Sequence, residues 1–141
     1  MVKILSISQI KELDDYTIKH EPVASIELME RACASFVDWF IPRFDTSKSI
    51  LIICGTGNNG GDGLGIARLL SHRTYPVTVA IVRGTSPESP DFTQNYKRLP
   101  DKVQELTIQD SNALNLQDCD IVIDALFGSG LSRPLEGLYL K

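Results

Sequence analysis

The sequence predicts an α/β domain: a Rossmann-like, three-layer parallel sheet with two extra helices at its N-terminus. Three observations predict it. Two continuous apolar runs, Ser49-Ile50-Leu51-Ile52-Ile53-Cys54 and Val77-Thr78-Val79-Ala80-Ile81-Val82, have the composition of strands buried on both faces. The first leads straight into a glycine-rich turn, Gly55-Thr56-Gly57-Asn58-Asn59-Gly60-Gly61-Asp62-Gly63. Strand-type and helix-type patterns then alternate, which demands right-handed crossovers and helices laid over the sheet.

The elements follow in order. Ser8 is placed as the cap of a first helix carrying Ile10, Leu13 and Ile18. Ser25 is placed as the cap of a second, with Leu28, Met29, Ala32 and Phe36 at helical spacing, and Pro42 ends it. The polar stretch 44–48 connects to the first strand. After the glycine turn, Leu64 to Leu70 is a helix, and the second strand runs from Val77 to Val82. Gly84 to Pro90 is a loop and Phe92 to Leu99 a helix. Val103 to Ile108 is a weaker strand, and Asp120 to Asp124 a strong one. With strand order 3-2-1-4, the turns after the first and last strands flank the point where strand order reverses, where ligands of such sheets bind.

The 141 residues fit a single domain over 1–141. An apolar fraction of 43% and a charged fraction of 23% are those of an ordinary globular chain. The net charge of −4, without blocks of like sign, argues against nucleic acid as a partner. No run approaches the roughly 18 apolar residues of a membrane span, and Met1 to Ser6 lacks a signal-peptide core. The expectation is a cytoplasmic protein with no membrane partner. Cys33, Cys54 and Cys119 form no C-x-x-C pair and sit in apolar company, so they read as reduced, buried, structural thiols. His20 and His72 are isolated and read as surface or capping residues.

Gly55-x-Gly57-x-x-Gly60 matches the dinucleotide fingerprint in its proper setting of strand, turn and helix. The helix N-terminus supplies unpaired amides and the positive end of the dipole to a phosphate. The second strand ends Ile81-Val82-Arg83-Gly84 without the carboxylate that would hold a ribose, which disfavours an NAD-dependent dehydrogenase. Asn58, Asn59 and Asp62 add side-chain oxygens beyond what phosphate needs. The asparagines also tolerate turn backbone, and helix capping is as good a reading of Asp62 as a ligand role.

The second motif follows Asp124: Gly128 and Gly130 permit close approach, Ser129 and Ser132 offer hydroxyls, Arg133 a cation, and Pro134 suits a helix start. Asp124 itself is expected to be a buried carboxylate at the crevice. Asn59 and Asp124 are hard oxygen donors, suited to a hard cation rather than to zinc or copper.

The run Gly55 to Gly63 followed by Ala67-Arg68, and the run Asp120 to Leu131 followed by Arg133-Pro134, resemble the signature of the NAD(P)H-hydrate epimerase family, the YjeF N-terminal domain. Gln9, Leu13-Asp14 and Leu28-Met29-Glu30 resemble its two leading helices. The resemblance implies an isomerase that interconverts the 6R and 6S epimers of hydrated NADH and NADPH, a metabolite repair. It implies substrate-binding residues Asn58, Asn59, Gly60, Gly61 and Asp62 in the first turn, and Gly128, Ser129, Gly130, Leu131, Ser132, Arg133 and Pro134 in the second. It further implies a potassium ion on Asn59 and Asp124, a homodimer, and an ADP/ATP-dependent dehydratase as a fused or separate partner. No catalytic residue is assigned.

Two departures bear on these implications. Cys33 stands where relatives commonly carry glycine. The family pattern continues beyond Lys141 with a further aspartate and serine, so the resemblance covers the front part of the domain. The C-terminal part is then missing, the last strand exposes an edge that invites self-association, and turnover is expected to be weak or absent. The alternative is a non-catalytic nucleotide- or protein-binding dimerisation module of the same fold. Intact Asn58, Asn59 and Asp124 favour the enzyme.

Overall fold

The structure, a computed structural model, describes residues 4–108 and 116–129 together with Pro134. Its elements are α1 (Ile7–His20), α2 (Ser25–Phe40), β1 (Ile50–Cys54), α3 (Asn58–His72), β2 (Val77–Val82), α4 (Pro90–Lys97), β3 (Gln104–Ile108), a short 3-10 turn at Leu116–Asp118, and β4 (Ile121–Ala125). All strand pairs are parallel, in the order β3-β2-β1-β4. This is the expected α/β arrangement, with the strand order under which the turns after β1 and β4 flank the switch point.

Alternate residues of β1 divide the sheet's two faces. Ile50, Ile52 and Cys54 join Val77, Val79, Ile81 and Ala125 in the main core, under residues of α2, α3 and α4 such as Val37, Phe40, Leu64, Leu70 and Phe92. Leu51 joins Ala80, Val82 and Ile108 in a smaller cluster on the other face. Each fully buried side chain of this size contributes about 1.5–3 kcal/mol. Phe40 anchors one end of the core, its ring packed on Phe44 and Tyr75. At the start of the central strands, the Asp120 carboxylate accepts from the Ser49 amide at 2.8 Å and from its hydroxyl at 2.9 Å. Those bonds hold Asp120 below the usual carboxylate range.

Both N-terminal helices begin differently from expectation. Ser6, not Ser8, caps α1, because Gln9 three residues on closes a reciprocal box: the Ser6 amide donates to Gln9 Oε1 at 2.9 Å and the Gln9 amide to Ser6 Oγ at 3.4 Å. Ala24 is the N-cap of α2, and Ser25 is already helical; its hydroxyl donates to Asp91 Oδ2 at 2.6 Å, tying α2 to α4. The helix ends at Phe40, with Ile41 still at helical dihedrals as the C-cap (φ −53°, ψ −46°) and its amide donating to the Val37 carbonyl; Pro42 next has no amide to carry the ladder on. α1 buries no residue, and Ile7, Ile10, Leu13 and Tyr16 are exposed along it. Among the described residues, no helix is long and apolar enough to cross a membrane.

Candidate functional site

The glycine-rich turn is shorter than its sequence suggests. α3 starts at Asn58, with Gly57 as N-cap and no side-chain cap, so only Gly55, Thr56 and Gly57 lie between β1 and the helix. Asn58, Asn59, Gly60, Gly61 and Asp62 are helical, and Asp62 caps nothing. Glycine and asparagine are poor helix formers, so packing rather than propensity selects the helix here. A Cβ on Gly60 would collide with the Gly55 carbonyl oxygen, and one on Gly63 would lie 2.7 Å from both Ala125 Cβ and Cys54 Sγ. Gly57, by contrast, has nothing within 4 Å of where a Cβ would stand. Among the described residues the space beside Gly57 is therefore open, and the unpaired amides of the first turn of α3 are of the kind that binds anions.

The two sequence motifs converge. The Gly55 amide donates to the Ala125 carbonyl at 3.1 Å. Gly128 sits against Asn59, an added Cβ falling 3.3 Å from Asn59 Cβ. This contact lies beside the reversal of strand order between β1 and β4. Ser129 and Pro134 are exposed. Gly130, Leu131, Ser132 and Arg133 lie outside the described residues.

Three contacts fasten the first turn from behind, and the sequence alone did not reveal them. The Ser89 amide donates to the Thr56 carbonyl at 2.9 Å. Asn95 Nδ2 donates to the Gly61 carbonyl at 2.9 Å. The Cys33 thiol donates to the Asp62 carbonyl at 3.3 Å. The available signal for Asn95 was its place in the inward stripe of α4, one turn after Phe92. Cys33 also fills the space beside Gly65, where an added Cβ would lie 2.7 Å from its sulfur.

The two carboxylates near the crevice differ in environment, and Asp124 departs from the expected one. Asp124 is exposed, not buried, and its Oδ1 accepts from the Leu126 amide at 3.0 Å. The cause is topological: β4 is an edge of the described sheet, and Val122 and Asp124 lie on the face away from Ile121 and Ile123, which pack on the main core. Asp62 is the half-buried acid. Burial, then the nearby charge of Asp91 and more weakly that of Asp14, push its carboxyl up to about 6, against a weak Cys33 thiol contact at 3.9 Å. Burial also pushes the Cys33 and Cys54 thiols up to about 12, so both are inert. Cys119 is only partly buried, contrary to expectation, and donates to the Leu116 carbonyl at 3.4 Å. His72 is exposed, and His20 stacks on Tyr16 with Nδ1 2.8 Å from the Tyr16 carbonyl oxygen.

Comparison with known proteins adds an independent line. The family described as YjeF-related protein N-terminus matches residues 25–141. The NAD(P)H-hydrate epimerase of Limosilactobacillus fermentum is 36% identical over 135 residues, covering 96% of this chain and 64% of that protein. The bifunctional NAD(P)H-hydrate repair enzyme Nnr of Thermofilum pendens is 37% identical over 145 residues, 99% of this chain but 28% of that protein. The crystal structure of yeast ynu0, YNL200c, is similar with a TM-score of 0.73 at 26% identity, over 96% of this chain and 60% of that one. The chain thus spans 28–64% of the length of these relatives.

Proposed function

The chain belongs to the YjeF-related protein N-terminus family, and from that premise we propose that it binds hydrated NADH or NADPH and interconverts the 6R and 6S epimers as a cytoplasmic metabolite-repair activity. The observation that carries this reading is the convergence of two glycine-bearing turns, Gly55–Gly57 and Leu126–Ser129, on the open N-terminus of α3. The amides of Asn58 and Asn59 receive a phosphate of the nucleotide there, and the turn beginning at Gly128 encloses the remainder. The dehydratase that consumes the 6S epimer is the partner, fused or separate.

Epimerisation at C6 needs loss and return of hydroxide, or ring opening, with a positioned acid or base. Neither described carboxylate near the crevice fills that role. Asp124 is exposed, and Asp62 is engaged by Cys33 and faces Asp91. Asn59 and Asp124 fit a potassium ion by donor type, since both offer hard oxygens, Asn59 in the first turn of α3 and Asp124 near the end of β4. A bound cation would supply electrostatic support to the phosphates of the substrate.

A second reading is a nucleotide- or protein-binding module without turnover, and the apolar face of α1 favours it. Ile7, Ile10, Leu13 and Tyr16 present a surface suited to a partner helix or a second copy of the chain. Incubating the chain with the purified 6R hydrate of NADPH and following the epimer ratio separates the two. Conversion to 6S supports the enzyme. An unchanged ratio, with amide shifts at residues 57–59 and 128–129, supports the module. Shifts confined elsewhere sink the site assignment.

A further inference from the structure

Asn95 is buried to 1% exposure between α3 and α4. Its Nδ2 donates to the Gly61 carbonyl at 2.9 Å and lies 3.3 Å from Met29 Sδ, while Oδ1 has no partner among the described residues. The orientation is chemically fixed. Gly61 oxygen and Met29 sulfur both accept, so the amino end must face them; turning the amide over would set oxygen against oxygen. The Gly61 carbonyl also has the ordinary helical partner four residues on, so the bond from Asn95 is an extra one.

An apolar residue of similar size would fill this position without burying an unpaired carbonyl oxygen. Asn95 is therefore a poor choice for stability, and what it supplies is position. The Gly61 amide donates to the Gly57 carbonyl at 3.0 Å and closes the first turn of α3. Holding the Gly61 peptide from behind thus fixes where the amides of Asn58 and Asn59 point. Gly61 has no lateral slack, since an added Cβ would lie 3.2 Å from both Met29 Sδ and the Phe92 amide nitrogen.

We propose that Asn95 is a positioning residue for the ligand-binding turn, fastening the Gly61 peptide so that the N-terminus of α3 presents its amides to a phosphate. This rests on the nucleotide reading above. The test compares wild type, Asn95→Leu, Asn95→Ala and Val37→Ala, with ADP-ribose titration, thermal denaturation and amide hydrogen exchange. Asn95→Leu is expected to melt at or above the wild-type temperature, yet bind ADP-ribose roughly three- to tenfold more weakly, the worth of one hydrogen bond. Exchange at the Gly61 amide is expected to accelerate, with Ile52 in β1 unchanged. Asn95→Ala is expected to give the same local acceleration even if Leu is not accommodated. Val37→Ala loosens the same helical layer away from the contact, and is expected to melt lower while binding within twofold of wild type.

Wild-type affinity and wild-type Gly61 exchange in both Asn95 variants would overturn the proposal. So would an equal loss of affinity in Val37→Ala. If wild type itself does not bind ADP-ribose, the nucleotide reading fails, and exchange at Gly61 still decides whether Asn95 holds the turn.

Discussion

The turn after β1 is fastened from several directions by backbone and buried side chains, whereas the turn after β4 shows, between its described residues, a bond from the Leu126 amide to the exposed Asp124 carboxylate. Gly55 is bonded to Ala125, Thr56 to Ser89, Gly61 to Asn95 and Asp62 to Cys33, and Gly60 is seated on the Gly55 backbone. After β4, the Leu126 amide reaches back to Asp124, and Phe127 and Gly128 are exposed. Under the proposed function the difference would separate two tasks. A turn that offers a phosphate an array of amides must be preorganised, because every amide that has to be ordered on binding subtracts from affinity. A facing turn that closes over a ligand needs only to reach it.

The largest effect should come from breaking the fastened turn. Gly60→Ala is expected to lose about 3 kcal/mol or more, since the collision is with backbone that cannot retreat. Gly57→Ala, three residues earlier and with open space among the described residues, should stay within about 0.5 kcal/mol of wild type. Urea denaturation of both checks this. Equal losses would mean that the turn is uniformly tight rather than closed behind and open in front.

A smaller effect should come from Asp62. Its carboxyl is raised to about 6 from an ordinary 3.8, so the folded chain holds the proton more tightly than the unfolded chain does. The stability tied to this group is full below about pH 4 and is lost as pH rises through about 6. Asp62→Asn should therefore gain on wild type between pH 4 and pH 7 and hold a constant difference above. A difference independent of pH over that window would show that Asp62 is not packed as described.

The smallest effect should come from the other turn. Asp124→Ala removes one exposed contact to the Leu126 amide and should cost about 0.5 kcal/mol. A loss near that of Gly60→Ala would erase the contrast between the turns.

Much of this was legible in the sequence, for local reasons. β1 and β2 lie within one residue of the apolar runs that predicted them, and the observed strand order is the one under which the two glycine turns flank the switch point. The first residues of α3 were not legible, because Asn58 to Asp62 read as a loop by propensity and become helix through close backbone packing. Asp124 read as buried because isoleucine and valine precede it, but its exposure depends on the edge position of β4, which is set by topology. The contacts of Asn95 and Cys33 were not legible either, although the place of Asn95 in the inward stripe of α4 hinted at burial. Their partners, Gly61 and Asp62, lie far away in the chain, and only the stacking of α2, α3 and α4 brings them into reach.

The contact between Cys33 and Gly65 carries a consequence for how such chains diverge. One sulfur occupies the room that a methyl on the facing helix would need, so the two positions share a single volume and are not free to vary separately. A glycine at 33 would vacate the space and admit alanine or serine at 65; a side chain at 65 with the cysteine retained would wedge α2 away from α3. Because the same cysteine holds the Asp62 carbonyl, the exchange would also shift a support of the binding turn. The two positions are thus sterically one choice, and its second member lies in the helix that begins at Asn58.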